Sequence, residues 1–234
     1  MKSKFPKIFF FDLEGTLLKK DFSLDNGKVA PSAWTVLAKA LGEQCYREEE
    51  ETKDKWLSGE YKGYLDWMAE TVRIHQRHGL TKEIFDAVIA SSELQNGVEE
   101  TIIKIKEKGA IVCIISGGFK ALCDKIQPKI KPDHFFCACE YFFDENGRLD
   151  SCNLLPTDEK GKVTFMKLIA EEHCISINDC AFVGDGKNDI HLAKEVGFSI
   201  AFNAQEELVK ASTVSITQDS NSIDFQKILS FFEI

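Results

Sequence analysis

Ile8-Phe9-Phe10-Phe11 is an unbroken apolar run that ends on Asp12. A run without alternation predicts a strand buried on both faces, as inside a parallel sheet. Gly15 then lets the chain turn sharply. Two more runs have this form: Ile111–Ile115, ending in Ser116-Gly117-Gly118, and Ala181-Phe182-Val183, ending in Gly184-Asp185-Gly186-Lys187-Asn188-Asp189. Ser199–Phe202 predicts a fourth strand and Val214–Ile216 a fifth. Helical patterns lie between them. Asn96 is placed to cap a helix with Glu99 and Glu100 in its first turn and Gly109 at its close. A second helix starts at Phe119 and is stopped by Pro128, and a third opens at Lys160 with Phe165, Leu168 and Ile169 inward. A fourth follows the Asp189 loop to Val196, where Gly197 ends it. Phe135–Leu149 reads as a hairpin around Asn146-Gly147. Strands alternating with helices predict an α/β fold with a doubly wound parallel, Rossmann-like sheet.

The stretch from Lys19 to Gln95 breaks the alternation. It contains no parallel-strand run. Asp25-Asn26-Gly27 signals a turn, and Trp34, Leu37, Ala38 and Leu41 share one face of a helix over Ala33–Leu41. Glu43–Trp56 is highly charged, with Glu48–Glu51 read as a solvated helix face. Tyr64, Trp67, Met68 and Ile74 mark another amphipathic helix, and Thr81 caps one running to about Ser91. The expected organisation is a core of residues 1–18 and 96–234 with a small helical cap domain, 19–95, inserted into it.

A chain of 234 residues accommodates such a core and insert. Its net charge of −9 argues against a nucleic-acid surface, so an anionic ligand must be held by local devices. The 8 cysteines include no C-x-x-C pair, and Cys137 with Cys139 suits an extended segment better than a zinc site. The Lys-flanked opening run is too short for a signal peptide, and no transmembrane-length segment appears. Reduced thiols, a cytoplasmic location, no membrane partner and a monomer or homodimer are the expectations.

The chemistry collects at strand ends. Asp12 with Glu14, Ser116 with two glycines, and Asp185 with Asn188 and Asp189 all follow predicted parallel strands, whose carboxyl ends share one edge. Carboxylates brought together need a cation, and oxygen ligands suit Mg²⁺. Ser116 and the amides of Gly117 and Gly118 can donate to phosphoryl oxygens, and Lys160 or Lys162 adds a positive charge. Together these residues describe a phosphoryl-transfer site with an aspartyl nucleophile.

Four segments in order resemble the haloacid dehalogenase superfamily, in its phosphoserine-phosphatase-like branch. Asp12-Leu13-Glu14-Gly15-Thr16 is similar to the first motif, D-x-D-G-T. Ile115–Phe119 is similar to the second, Lys160-Gly161 to the third and Gly184–Asp189 to the fourth, G-D-G-x-N-D. The resemblance implies a Mg²⁺-dependent phosphatase acting on a small-molecule phosphomonoester, with phosphoserine ranked first. It implies that Asp12 is the nucleophile and that Mg²⁺ is held by Asp12, Asp185 and the Glu14 carbonyl. Ser116, Gly117 and Lys160 would grip the phosphoryl group, with Lys162 the competing lysine. Asn188 would contact substrate, and Asp189 would support the metal waters and the lysine. Asp21 and Arg73 are the candidates to hold an amino acid leaving group. One departure stands out: Glu14 occupies the acid/base position, where most of the family has Asp. A phosphotransferase sharing the same aspartyl-phosphate, and a non-catalytic phosphometabolite-binding protein, are the alternatives.

Overall fold

The structure, a computed structural model, describes residues 2–25, 27–219 and 222–233; Asn26 of the expected turn lies outside them. Seven strands form one sheet: β1 (Ile8–Phe11), β2 (Ile111–Phe119), β3 (His134–Phe143), β4 (Leu149–Leu154), β5 (Cys180–Gly184), β6 (Phe198–Phe202) and β7 (Val214–Ile216). Their order is β4-β3-β2-β1-β5-β6-β7. All neighbours are parallel except β3 and β4, which form an antiparallel hairpin at one edge. At its turn the Asp144 carboxylate accepts from the amides of Asn146 and Arg148, and Gly147 takes a positive φ of 72°.

Helices α1 (Ala33–Leu41), α2 (Glu43–Leu57), α3 (Tyr64–Arg77) and α4 (Lys82–Ser91) all lie between β1 and β2 in the chain. The others are α5 (Val98–Glu107), α6 (Lys120–Ile130), α7 (Lys160–Glu172), α8 (Ile190–Glu195) and α9 (Glu206–Ala211). The central strand β1 shows why the sheet is covered on both sides. Phe9 and Phe11 face a layer made by Ile102 and Ile105 of α5, Leu122 and Ile126 of α6, and the C-terminal Phe225 and Phe232. Ile8 and Phe10 face the opposite layer, made by Met166 and Ile169 of α7, Leu192 of α8 and Leu208 of α9. This is the doubly wound arrangement that the uninterrupted apolar runs require. The first layer continues into the cap, where Trp34 packs on Phe119 with ring centroids 4.2 Å apart and Phe85 meets the same ring edge-on.

Several expected boundaries move. Strand β2 runs through Ser116 to Phe119, with a register irregularity there, so the serine sits on a bulge inside the strand. Helix α5 begins at Val98 after Gly97, whose φ is 82°, and Asn96 does not cap it. Pro128 lies inside α6 rather than ending it, because burial of Ile126 and Ile130 holds the last turn together although one backbone hydrogen bond is missing. In α7 the inward face is Lys162, Met166 and Ile169, while Leu168 is exposed. In α2 the inward stripe is Cys45, Glu49 and Thr52, so the run Glu48–Glu51 is not wholly a solvated face. Helix α9 was not expected from the sequence. Among the described residues no helix is long and apolar enough to cross a membrane.

Candidate active site

The carboxyl ends of β1, β2 and β5 converge on one cavity of about 150 Å³, closed from above by α1, α2 and α3. Asp12 follows β1 directly, and its amide donates to the Val183 carbonyl of β5 at 3.0 Å. Its Oδ1 accepts from Lys162 Nζ at 2.6 Å, and the same ammonium reaches Asp189 Oδ1 at 2.6 Å. Asp12, Lys162 and Asp189 are all buried. Asp185, at the end of β5, accepts from Lys20 Nζ at 2.7 Å and from Thr16 Oγ1 at 3.4 Å. Gly15, with φ of 84°, lets the β1 loop pass directly against Asp185; a Cβ there would collide with that carboxylate. Asp189 Oδ2 accepts from the Gly186 amide at 3.2 Å.

Glu14 reaches across to the cap. Its Oε1 accepts from the Ala33 amide at 2.6 Å, at the N-terminus of α1. Its other oxygen lies so close to Gly118 that any side chain there would displace it. Removal from water pushes its carboxyl up to about 7, against the lowering effects of the Ala33 amide and Lys20. Ser116 Oγ accepts from the Gly118 amide at 3.0 Å, and Thr157 Oγ1 donates to the Ser116 carbonyl at 2.7 Å. Trp34 Nε1 donates to the Gly117 carbonyl at 3.0 Å, tying the cap to this loop. Asn188 Nδ2 donates to Asp158 at 2.6 Å.

The negative charge here is crowded. Burial raises the carboxyl groups of Asp185, Asp189 and Asp158 above the usual range. Burial also disfavours the charge on Lys162, but Asp12, Asp189 and Asp158 outweigh it and hold the ammonium protonated. One oxygen from each of Asp12, Asp185 and Asp189 falls within 4.8 Å of the others. Three hard oxygen donors with excess negative charge suit a divalent cation such as Mg²⁺.

The structure brings Asp12, Glu14, Ser116, Gly117, Asp185 and Asn188 onto the cavity wall, with Asp189 buried behind Lys162. Three expectations need correction. Lys160 is exposed at the first position of α7, and the lysine against Asp12 is Lys162, because α7 is rotated to bury Lys162 with Met166. Asp21 is exposed and lines a separate, smaller hollow. Arg73 is exposed on α3 and pairs with Glu70 at 2.9 Å. The cavity wall also contains residues the motifs do not mark: Lys20, Asp158, and the cap residues Trp34, Glu49, Lys53, Tyr64, Trp67 and Met68. Of these, the amphipathic stripe Tyr64, Trp67, Met68 was visible as a pattern, but its use as a cavity wall was not.

The profile of the haloacid dehalogenase-like hydrolases matches residues 6–197. The chain belongs to this family. Within it, the hydrolase falls in the phosphoserine-phosphatase-like branch. It is 29% identical over 202 residues to a phosphoserine phosphatase of Archaeoglobus fulgidus, covering 85% of this chain and 56% of that protein. It is 31% identical over 140 residues to one of Methanocaldococcus jannaschii, 58% of this chain and 63% of that protein. The match to a Lactococcus lactis phosphoserine phosphatase is 33% over 162 residues, 69% of this chain and 71% of that one. The chain thus spans less than two thirds of the length of the first two relatives. Among solved structures, a phospho-aspartyl intermediate analogue of phosphoserine phosphatase superposes with a TM-score of 0.74 at 25% identity, covering 98% of this chain and 100% of that one.

Proposed function

We propose that this hydrolase is a Mg²⁺-dependent phosphatase of a small phosphomonoester, acting through an aspartyl-phosphate on Asp12. The observation that carries the reading is the contact of Asp12 with Lys162 inside the carboxylate cluster, with Glu14 held on the same cavity at a pKa of about 7.

The side chains of Asp12 and Asp185 and the Glu14 carbonyl would hold Mg²⁺, with Asp189 supporting the site and Lys162. The cation supplies neutralisation of the phosphate charge, so that an anionic nucleophile can approach an anionic ester. Lys162, Ser116 and the amides of Gly117 and Gly118 grip the transferred oxygens. A carboxylate oxygen of Asp12 attacks phosphorus, the bond to the ester oxygen breaks, and Glu14 gives that oxygen its proton. Glu14, now ionised, takes a proton from water, whose oxygen attacks phosphorus and releases Asp12 and inorganic phosphate. The cap helices exclude bulk water from the first step.

The names of the relatives support phosphoserine as a first substrate to try. Asp21 and Arg73 give that choice no support, since neither lines the cavity. The test is release of phosphate from p-nitrophenyl phosphate with Mg²⁺, with and without chelator, and with alcohols added as competing acceptors. Chelator-sensitive hydrolysis is expected. Turnover indifferent to chelator overturns the metal's role, and phosphate carried mainly to the alcohol makes the protein a phosphotransferase.

A further inference from the structure

Glu49 is a glutamate of the cap that phosphoryl transfer does not use. It sits on α2, 1% exposed, and lines the same cavity as Asp12 and Ser116. One oxygen, Oε2, lies 3.2 Å from His75 Nε2, and His75 Nδ1 is 2.8 Å from the Tyr141 hydroxyl. With the hydroxyl donating to Nδ1, Nε2–H donates to Glu49, and the carboxylate is fixed in place. Its other oxygen, Oε1, has no hydrogen-bond partner among the described residues. The nearest cation, Lys53 Nζ, is 3.5 Å away and donates instead to Thr35 Oγ1 and Glu50 Oε1. A buried acceptor left without a donor is costly, and a ligand that supplies the donor recovers that cost.

The wall beside Glu49 is aromatic. Trp34, Tyr64 and Trp67 line the same cavity. Trp67 is held by its Nε1 on Thr52 Oγ1 at 3.0 Å and by stacking on Trp56, with centroids 5.1 Å apart. Tyr64 stands edge-on to Trp67 at 6.0 Å. Fixed ring faces in the same cavity as a carboxylate with one oxygen free of hydrogen bonds attract an ammonium twice, by the ring quadrupoles and by the charge. The same wall offers little to a carboxylate. Lys53 spends its donors on the protein, Lys20 pairs with Asp185 at the phosphoryl end, and Arg73 lies outside on Glu70.

We propose that the leaving alcohol of the natural substrate carries an ammonium group and no carboxylate: the substrate is the phosphate ester of an amino alcohol, with Glu49 Oε1 as the acceptor that selects it. This rests on the phosphatase reading above and names its substrate class. A primary ammonium would donate to Oε1 directly. A quaternary ammonium would rely on the rings and on charge alone.

The experiment compares charged and neutral isosteres on the full chain with Mg²⁺: phosphoethanolamine against propyl phosphate, phosphocholine against 3,3-dimethylbutyl phosphate, and phosphoserine beside them. At least one cationic ester should exceed its isostere in kcat/KM by about tenfold, equivalent to about 1.4 kcal/mol, chiefly through KM. It should also exceed phosphoserine. Which pair shows the preference distinguishes a primary from a quaternary ammonium. Glu49→Gln keeps an oxygen for His75, and in it the cationic-to-neutral ratio should fall towards one. The proposal is overturned by equal rates within both pairs, by a preference for phosphoserine, or by a ratio that Glu49→Gln leaves unchanged. Calorimetric binding of the same esters to the Asp12→Asn protein, with Mg²⁺ in the buffer, decides the selectivity without turnover. If p-nitrophenyl phosphate is not hydrolysed, the phosphatase reading fails, while calorimetry still shows whether the cavity prefers an ammonium.

Discussion

Replacing Glu14 by Gln tests the acid/base assignment with little disturbance of structure. Oε1 of Glu14 accepts from the Ala33 amide at 2.6 Å, and the amide oxygen of Gln can accept the same bond, so the loop and α1 should stay in place. What is lost is the proton. At pH 7 a carboxyl at its ordinary value of 4.5 is protonated in only about 0.3% of molecules, whereas one at about 7 is protonated in half. Burial of Glu14 therefore supplies roughly 150 times more of the acid form at neutral pH. An alkyl phosphate leaves as a strongly basic alkoxide and needs that proton; an activated aryl phosphate leaves as a stable phenolate and needs it far less. Single-turnover phosphorylation of Asp12, measured by rapid quench, should slow by about 10²–10⁴ for the alkyl ester in Glu14→Gln and much less for the aryl ester. The pH dependence has a fixed sign. The acid form is present below the raised pKa and lost above it, so the alkyl-ester rate of the native protein should fall on an alkaline limb. A bound cation favours the ionised carboxylate and moves that limb to or below about 7. The limb should be absent in Glu14→Gln. Equal losses for the two esters, or an unchanged limb, would refute proton donation by Glu14 and leave it a structural partner of α1.

Asp12→Asn should abolish turnover of every ester, because an amide is neither a nucleophile for phosphorus nor an anionic ligand; near-normal phosphate release from this variant would remove the covalent intermediate. Lys162→Met should lose activity and also lower stability by about 3–5 kcal/mol in urea unfolding, since it leaves Asp12 and Asp189 buried without their partner. Lys160→Met, on the exposed first turn of α7, should keep turnover within about twofold; a large loss there would restore the motif-based choice of lysine. Gly161→Ala places a Cβ against the Pro156 carbonyl oxygen and should destabilise by about 1–3 kcal/mol, read as a lowered thermal midpoint.

How much of this was legible in the sequence depends on which physical signal each element carries. Strands β1 and β5 could be read because burial on both faces writes itself as an apolar run, and the residues that stop those runs, Asp12 and Asp185, line the cavity. The range of α1 was legible because its one buried face carries Trp34, Leu37 and Ala38 at helical spacing. Where the signal was polar, it misled. Lys162 on α7 and Glu49 on α2 both occupy inward positions of helices. A charged residue on a buried stripe looks, in one dimension, like a residue of the solvated face. In α7 this shifted the expected stripe to Phe165, Leu168 and Ile169, and left the choice between Lys160 and Lys162 to the Lys-Gly motif, which favours Lys160. In α2 it dissolved the stripe altogether.

The two misread charges share a cause. A charged side chain is buried only where partners on other segments compensate it, and those partners are distant in the chain. Lys162 is compensated by Asp12, 150 positions earlier, and Asp189, 27 later. Glu49 is hydrogen-bonded on one oxygen by His75, 26 residues on, and its other oxygen has the Lys53 ammonium at 3.5 Å without a hydrogen bond. Local periodicity contains little of this, so the environments of these two charges stay hidden in the sequence. The family motif located the lysine only to within two positions, since Lys160-Gly161-Lys162 offers two lysines to one pattern. Glu49 has no motif at all. Compensation also separates the two. Lys162 is satisfied twice and completes a structure already closed on itself, whereas Glu49 is satisfied once. Its second oxygen faces the same accounting as any buried acceptor, and within the described chain nothing donates to it. A fold that tolerates this cost in the wall of its substrate cavity gains by it only when the donor arrives with the substrate.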